Sequence, residues 1–170
     1  MKKSFLSFTL VLIVTSLFIS CKKEKNEPEP QGENITFTID GVKKVFKVND
    51  TAKVYISDVA SMVMMNANAD SVSPESISFR IIVGEAITVG TYATGPVDIS
   101  VSGLYTPGTS GTRLISGNEP NEGMKITFTS LTDEKATGTF SGIFYEENGD
   151  QSKKVTITGS FNVPVSNYQN

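Results

Sequence analysis

The sequence has no histidine among its 170 residues. Histidine is the usual general base near neutral pH, the central member of the Ser-His-Asp triad and the commonest metal ligand. The acidic residues that remain for a hydrolytic pair, Asp98, Glu85, Asp133 and Glu134, all fit solvated turns or strand ends. The sequence therefore argues against an enzyme, and neither a metal nor an organic cofactor is expected.

Positive charge and cysteine are scarce as well. The 15 Lys and Arg against 18 Asp and Glu give a formal net charge of −3, and Cys21 is the only cysteine. No basic patch is left to organise phosphate contacts, so nucleic acid is not expected as a partner. Without a second cysteine, the chain cannot form an internal disulfide.

An apolar run, Phe5–Ile19, follows two N-terminal lysines. It has the length of a signal-peptide core and is short for a helix that crosses roughly 30 Å of hydrocarbon, although an uncleaved membrane anchor is the alternative. The next residues, read as FISC, resemble the lipobox of bacterial lipoproteins. That resemblance implies cleavage after Ser20 and lipidation of the Cys21 thiol, so residues 1–20 are expected to be a signal peptide.

Residues 21–33 comprise the cysteine and the run KKEKNEPEPQGE, which contains two prolines and no aliphatic or aromatic side chain. Such a run cannot bury apolar area, and it is predicted to be an extended, flexible tether between the lipid and the domain. Charged residues after the cysteine can act as a surface-export signal in Bacteroidota, and Lys23-Glu24 matches that signal in part. The expected location is the outer membrane, on either its periplasmic face or the cell surface.

Residues 34–170 are predicted to form a single domain in which apolar and polar residues alternate. Ile35, Phe37 and Ile39 share one face of the first strand, and Val89 is expected to point inward in a later one. Asp40-Gly41 and Asn148-Gly149 predict hairpin turns. Glycines at 138, 142 and 159 fall on the apolar face of the last two strands, where they predict bulges or close aromatic packing.

About ten short strands and no helical periodicity predict an all-β fold, an antiparallel β-sandwich. A lipocalin-like up-and-down β-barrel is the alternative, because a run of hairpins can close on itself. Only residues 106–123 interrupt the alternation of apolar and polar residues. This long loop, rich in Gly, Pro, Ser and Asn, is either a functional loop or a tolerated insertion, with at most a short strand in TRLIS.

Four features together resemble a family of small Bacteroidota lipoproteins of uncharacterised function. They are the lipobox, the charged tether, the opening hairpin FTIDG and the closing hairpin GTFSGIF with VTITGSFNV. The resemblance implies a lipid anchor and an all-β fold, and it brings no catalytic residues.

Sugar-binding proteins use exposed aromatic rings, and this chain has tyrosines to offer in place of tryptophan. Tyr92 and Tyr105 end predicted strands and, with Arg113 near the long loop, are the candidate ligand contacts. Tyr55 and Tyr145 are further available rings. The alternative is that each of these tyrosines covers a sheet edge with its hydroxyl in water.

The tripeptides DTA and DSV resemble the acceptor motif for O-glycosylation in Bacteroidota envelope proteins, which makes Thr51 and Ser71 candidate sites. The function expected from the whole sequence is a non-catalytic envelope lipoprotein that binds a glycan or protein partner or serves a structural role. Two alternatives are a barrel that carries a small apolar ligand and a carboxylate-based glycan hydrolase.

Overall fold

The computed structural model describes residues 32–47, 54–57, 62–69, 74–95, 98–109, 111–117, 122–149 and 152–167, of which 55–57, 62–66 and 167 are described by their backbone alone. Within these ranges all regular structure is β-strand. The strands are β1 (Asn34–Ile39), β2 (Val42–Lys47), β3 (Val54–Ser57), β4 (Met62–Asn68), β5 (Glu75–Val83), β6 (Gly90–Ala93), β7 (Ile99–Pro107), β8 (Leu114–Ser116), β9 (Lys125–Leu131), β10 (Lys135–Glu146) and β11 (Val155–Asn167). The described residues include no helix long and apolar enough to cross a bilayer.

The strands form one continuous sheet in the order β2-β1-β11-β3-β4-β5-β7-β8-β10-β9-β6, with an added pairing between β10 and β11. That pairing closes a hydrogen-bonded circuit from β11 through β3, β4, β5, β7 and β8 to β10. All pairs are antiparallel except β3 with β11. The predicted all-β antiparallel fold is confirmed. The strand order does not follow chain order, as an up-and-down barrel would require.

The two longest strands, β10 and β11, hold the sheet together because each has different partners along its length. One edge of β11 pairs with β1 over Ile157–Asn162 and with β3 over Val165–Asn167. One edge of β10 pairs with β9 near its start and with β8 at its end. Each strand therefore passes from one layer of the fold into the other.

Aromatic rings fill the space between the layers. The ring centroids of Phe79 in β5 and Phe140 in β10 lie 4.3 Å apart, and those of Phe37 in β1 and Tyr105 in β7 lie 5.8 Å apart. Neither pair of strands is hydrogen-bonded to each other, so these contacts join opposite layers, as in a sandwich. The alternation predicted for β1 is confirmed, because Ile35, Phe37 and Ile39 are all buried.

Two glycines of the core explain how large rings fit between strands. A Cβ atom added at Gly159 would lie 2.6 Å from the Phe140 ring and 2.3 Å from the carbonyl oxygen of Thr36. At Gly138 the register between β9 and β10 shifts, and an added Cβ would lie 2.5 Å from the Phe161 ring. The predicted bulge and close aromatic packing are confirmed at these positions.

The turns are explained by residues that tolerate a left-handed backbone. Asp40 and Gly41, with φ of 49° and 77°, join β1 to β2 as a two-residue turn, as predicted. Asn148 also has a positive φ, of 62°, but β10 and β11 are joined by the longer connection 147–154. Glu147, Asn148, Gly149 and Lys154 of that connection line a surface groove together with β8.

Candidate functional site

A surface groove of about 650 Å³ lies where β8 pairs with the end of β10. Its lining includes a half-buried aromatic ring, carboxylates, an amide and an ammonium group, from Tyr145, Glu122, Glu147, Asn148 and Lys154. Clefts with a few convergent polar groups beside an apolar surface are the usual form of a small-molecule site. We call this surface the groove.

Strand alternation places the aromatic ring in the groove. Tyr145 lies opposite Ile115 in the β8–β10 register, and both side chains point away from the core. Their neighbours Phe144 and Ser116 are opposite each other and buried. Because successive side chains alternate between faces, burial of Phe144 directs Tyr145 outward.

A backbone bridge positions Glu122 beside this ring. Gly117, directly after β8, bridges Gly123, and its N–H donates to the carbonyl oxygen of Ile143 at 3.0 Å. A Cβ atom at Gly117 would lie 2.5 Å from the carbonyl oxygen of Glu122 and 3.0 Å from the Tyr145 ring. Only glycine permits this close approach, which brings Glu122 and Tyr145 together.

Three side chains from distant parts of the sequence meet in the groove, and we call them the groove cluster. The Tyr145 hydroxyl donates to Oε2 of Glu122, and the Lys154 ammonium donates to Oε1 of the same carboxylate. The Lys154 nitrogen also lies 6.0 Å from the centroid of the Tyr145 ring. One carboxylate therefore orients both a phenol and a cation at the groove surface.

The hydrogen bonds set the charge states of the groove cluster. Those from Lys154 and Tyr145 lower the pKa of Glu122. The Glu122 carboxylate in turn raises the pKa of Lys154 and the pKa of Tyr145. At neutral pH the cluster thus presents an ionised carboxylate, a protonated amine and a neutral phenol, all of which can exchange hydrogen bonds with a polar ligand.

Arg113, a predicted ligand contact, lies beside the groove. Its guanidinium pairs with Glu147 at 3.2 Å, and the Glu147 N–H donates to the Arg113 carbonyl oxygen at 2.8 Å. Arg113 and Glu122 both belong to the 106–123 segment that the sequence singled out as a long loop. That segment contributes the short strand β8 as well, which confirms the strand expected in TRLIS.

The other two predicted contacts, Tyr92 and Tyr105, are buried, so the expectation that they offer exposed rings is wrong. Tyr92 is 8% exposed and packs edge-on against Phe128, with ring centroids 6.1 Å apart. Its hydroxyl donates to the carbonyl oxygen of Thr88 at 3.1 Å and accepts from the Thr88 N–H at 2.8 Å. Backbone hydrogen bonding satisfies this hydroxyl, which allows the ring to lie in the core.

Tyr105 is 3% exposed and belongs to a second lysine–glutamate–tyrosine group, which we call the inner cluster. Its hydroxyl donates to Oε1 of Glu75 at 2.5 Å, and the Lys44 ammonium donates to the same oxygen. Lys44 lies 5.9 Å from the centroid of the Tyr105 ring. The inner cluster connects β2 to β5 and β7.

Sequence reasoning missed Glu122 and Lys154, which are 32 residues apart in the chain. Neither residue has a local signal, because both lie in connections rather than in strands. Only the end of β10, the start of β11 and the Gly117–Gly123 bridge bring them together. Within the described ranges, no three acidic, histidine or cysteine side chains are grouped to hold a metal ion.

The predicted signal peptide 1–20, Ser20 and Cys21, most of the predicted tether 21–33, and the candidate O-glycosylation sites Thr51 and Ser71 lie outside the described residues. Comparison of the chain with known protein families, curated proteins and solved structures found no match.

Proposed function

We propose that this chain is a non-catalytic lipoprotein of the cell envelope whose β domain binds a glycan in the groove. The observation that carries the binding proposal is the groove cluster: a half-buried Tyr145 ring beside the hydrogen-bonded Glu122 and Lys154. The lipid-anchor part rests on the lipobox at Cys21.

The groove chemistry favours a ligand rich in hydroxyl groups. A sugar ring has an apolar face that packs on an aromatic ring, and hydroxyls around its edge that both donate and accept hydrogen bonds. Tyr145 supplies the ring, Glu122 an acceptor and Lys154 a donor, while Asn148 adds an amide that can do either.

The charge state of Glu122 suits a hydrogen-bond acceptor and does not suit the general acid of a glycosidase. A glycosidase needs one carboxylic acid with a raised pKa to protonate the leaving group. The hydrogen bonds from Lys154 and Tyr145 lower the pKa of Glu122, which keeps this carboxylate ionised. An ionised carboxylate is suited to accepting hydrogen bonds from sugar hydroxyls.

The interior gives less support to a carrier of small apolar ligands. Such a carrier needs space between its layers, whereas the Phe79 and Phe140 rings meet there at 4.3 Å. Phe128 and Phe144 are buried as well. These side chains contribute to a packed core, and the polar groove is the better candidate for a ligand.

The binding proposal is tested with the full-length lipidated chain in detergent, screened against immobilised envelope and host glycans. We expect Tyr145→Ala and Lys154→Ala to weaken binding of a retained glycan by roughly tenfold or more, as removal of central contacts does. Lys153→Ala is the matched control, because Lys153 is exposed and lies next to Lys154 in sequence. Equal binding by all these proteins would reject the groove as the site.

The anchor is tested separately by acyl-chain labelling of the wild type and of Cys21→Ala in the native host. We expect label on the wild type alone, since Cys21 is the only thiol. Protease treatment of intact cells then distinguishes surface display, in which the domain is removed, from the periplasmic face, in which it is protected. Labelling of both proteins, or of neither, would contradict the lipoprotein proposal.

A further inference from the structure

We infer that the groove faces away from the membrane, so that the glycan it binds reaches it from the side opposite the protein's own bilayer. This inference rests on the proposed lipid anchor at Cys21 and on the proposed binding role of the groove. It follows from the positions of the two features at opposite ends of the β10–β11 ladder.

The chain enters the domain at a fixed place. The carbonyl oxygen of Gly32 accepts a hydrogen bond from the side-chain amide of Asn34 at 2.9 Å and another from that of Asn162 at 3.0 Å. Asn34 and Asn162 are also partners in the β1–β11 register. The predicted tether therefore joins the domain beside Asn162, in the second half of β11.

The groove lies at the other end of the same ladder. The β10–β11 register runs without a break from Lys135 opposite Pro164 to Phe144 opposite Val155. Tyr145 and Lys154, which line the groove, come directly after that last pair. From Asn162 back to Lys154 the strand extends roughly 25 Å, at about 3.3 Å per residue.

The tether leaves the domain at Gly32, so averaged over the motion of a flexible tether the Asn162 end lies nearer to the lipid than the groove end does. The groove end is about 25 Å farther along the ladder from this point of attachment. Sugars on lipid headgroups of the same leaflet are on the wrong side of the domain. The geometry fits a long glycan chain that extends toward the protein from a source outside its own leaflet.

Energy transfer on vesicles tests this orientation in the full-length lipidated chain. The single native thiol, Cys21, is consumed by lipidation, so one introduced cysteine can carry a donor dye. Lys153→Cys labels the groove end, and Asp133→Cys labels the opposite end, because the neighbouring Glu134 carbonyl oxygen accepts the N–H of Val165 at 2.9 Å. Both positions are exposed. The vesicles contain phosphatidylethanolamine and phosphatidylglycerol, with an acceptor dye on the headgroups.

We expect energy transfer from the dye at position 153 to be at least about twofold weaker than from position 133, given their separation of roughly 40 Å along the ladder, about twelve residues at about 3.3 Å each. Transfer as strong from 153 as from 133, in protein that floats with the vesicles, would overturn the orientation alone. Protein that does not float would overturn the anchor, and the orientation with it. Glycan binding measured on the same vesicles separates either failure from failure of the groove.

Discussion

The inner cluster and the groove cluster use the same three kinds of side chain in different surroundings. In each, one glutamate accepts hydrogen bonds from a tyrosine and a lysine, and the lysine lies about 6 Å from the tyrosine ring. The Lys44 and Glu75 side chains are 28% and 20% exposed, whereas those of Lys154 and Glu122 are 50% and 33% exposed. Burial, rather than chemistry, separates the two clusters.

The surroundings of each tyrosine indicate what each cluster can do. Tyr105 packs against Phe37 in the core, so the inner cluster attaches the β1–β2 hairpin to the opposite layer. Tyr145 packs beside Gly117 at the edge of the groove, where its ring and hydroxyl remain partly accessible. Burial of Tyr105 gives the inner cluster a structural role, whereas partial exposure of Tyr145 leaves the groove cluster accessible from solvent.

The largest expected difference between the clusters comes from deleting each tyrosine ring. We expect Tyr105→Ala to lower the free energy of unfolding by about 3–5 kcal/mol, as loss of a buried aromatic ring does. Tyr145→Ala should change stability far less and should act on glycan binding instead. Urea denaturation followed by circular dichroism measures both effects. Equal losses of stability in the two variants would contradict the structural role of Tyr105 and the binding role of Tyr145.

The next largest difference concerns the carboxylates. Glu75→Gln removes the charge that pairs with Lys44 among partly buried side chains, and we expect a loss of about 1–3 kcal/mol, typical of a hydrogen bond to a charged group. Glu122→Gln should weaken glycan binding with little change in the urea midpoint. Calorimetric titration and urea denaturation of both variants test this pair. A binding defect found only in Glu75→Gln would show that the inner cluster, and not the groove cluster, contacts the glycan.

The pH dependence of stability separates the clusters further. Burial alone would raise the pKa of Glu75, but the hydrogen bonds from Lys44 and Tyr105 outweigh it and lower that pKa. A lowered folded-state pKa makes this contribution fully present above the ordinary value of 4.5 and lost as the pH falls through the folded-state pKa. We expect Glu75→Gln to flatten the acid limb of the stability curve more than Glu122→Gln does.

At alkaline pH we expect stability to fall as the pH rises, because Lys44 then loses its proton. The hydrogen bond from Lys44 to Glu75 raises the pKa of Lys44 despite the opposing effect of burial. A raised folded-state pKa gives stability that is present below the ordinary value of 10.5 and is lost as the pH rises through the folded-state pKa. Unfolding curves collected from pH 3 to pH 11, in steps of about one unit, cover both limbs. If Glu75→Gln leaves the loss of stability at acid pH unchanged, the inner cluster does not cause that loss.

The smallest expected difference is in the response to salt. Raising the ionic strength from about 0.1 M to about 1 M shortens the Debye length from roughly 10 Å to roughly 3 Å. The stability difference between wild type and Lys154→Met should then vanish, because that pair is the more exposed. The difference for Lys44→Met should persist in part. Urea denaturation at both salt concentrations checks this, and equal salt responses would argue against unequal screening.

The sequence predicted the fold where one local rule decides the structure. Alternation identified Ile35, Phe37 and Ile39 as core, and Asp40-Gly41 identified the first turn, because both signals depend on residues close together in sequence. The same rule failed for Val89, expected inward but 57% exposed, since it precedes β6 rather than belonging to it. Tyr105 was misjudged although alternation places it on the same buried face of β7 as Val101.

The groove could not be predicted from the sequence, because its residues come together only through long-range strand pairing. Glu122 and Lys154 carry no periodic signal, and their meeting depends on how β8 joins the end of β10. Arg113 was identified as a candidate because of the unusual loop composition, and it lies at the groove edge through Glu147. Sites formed by connections between distant strands are set by topology, which alternation does not determine.

The most direct test of the account is a heteronuclear NMR titration of the lipidated chain in detergent micelles with a glycan retained in the binding screen. The account predicts shift changes at the backbone amides of Ile115, Glu122, Tyr145 and Lys154, with those of Lys44, Glu75 and Tyr105 unaffected. Changes centred on the inner cluster in place of the groove would contradict the assignment of the groove as the binding site.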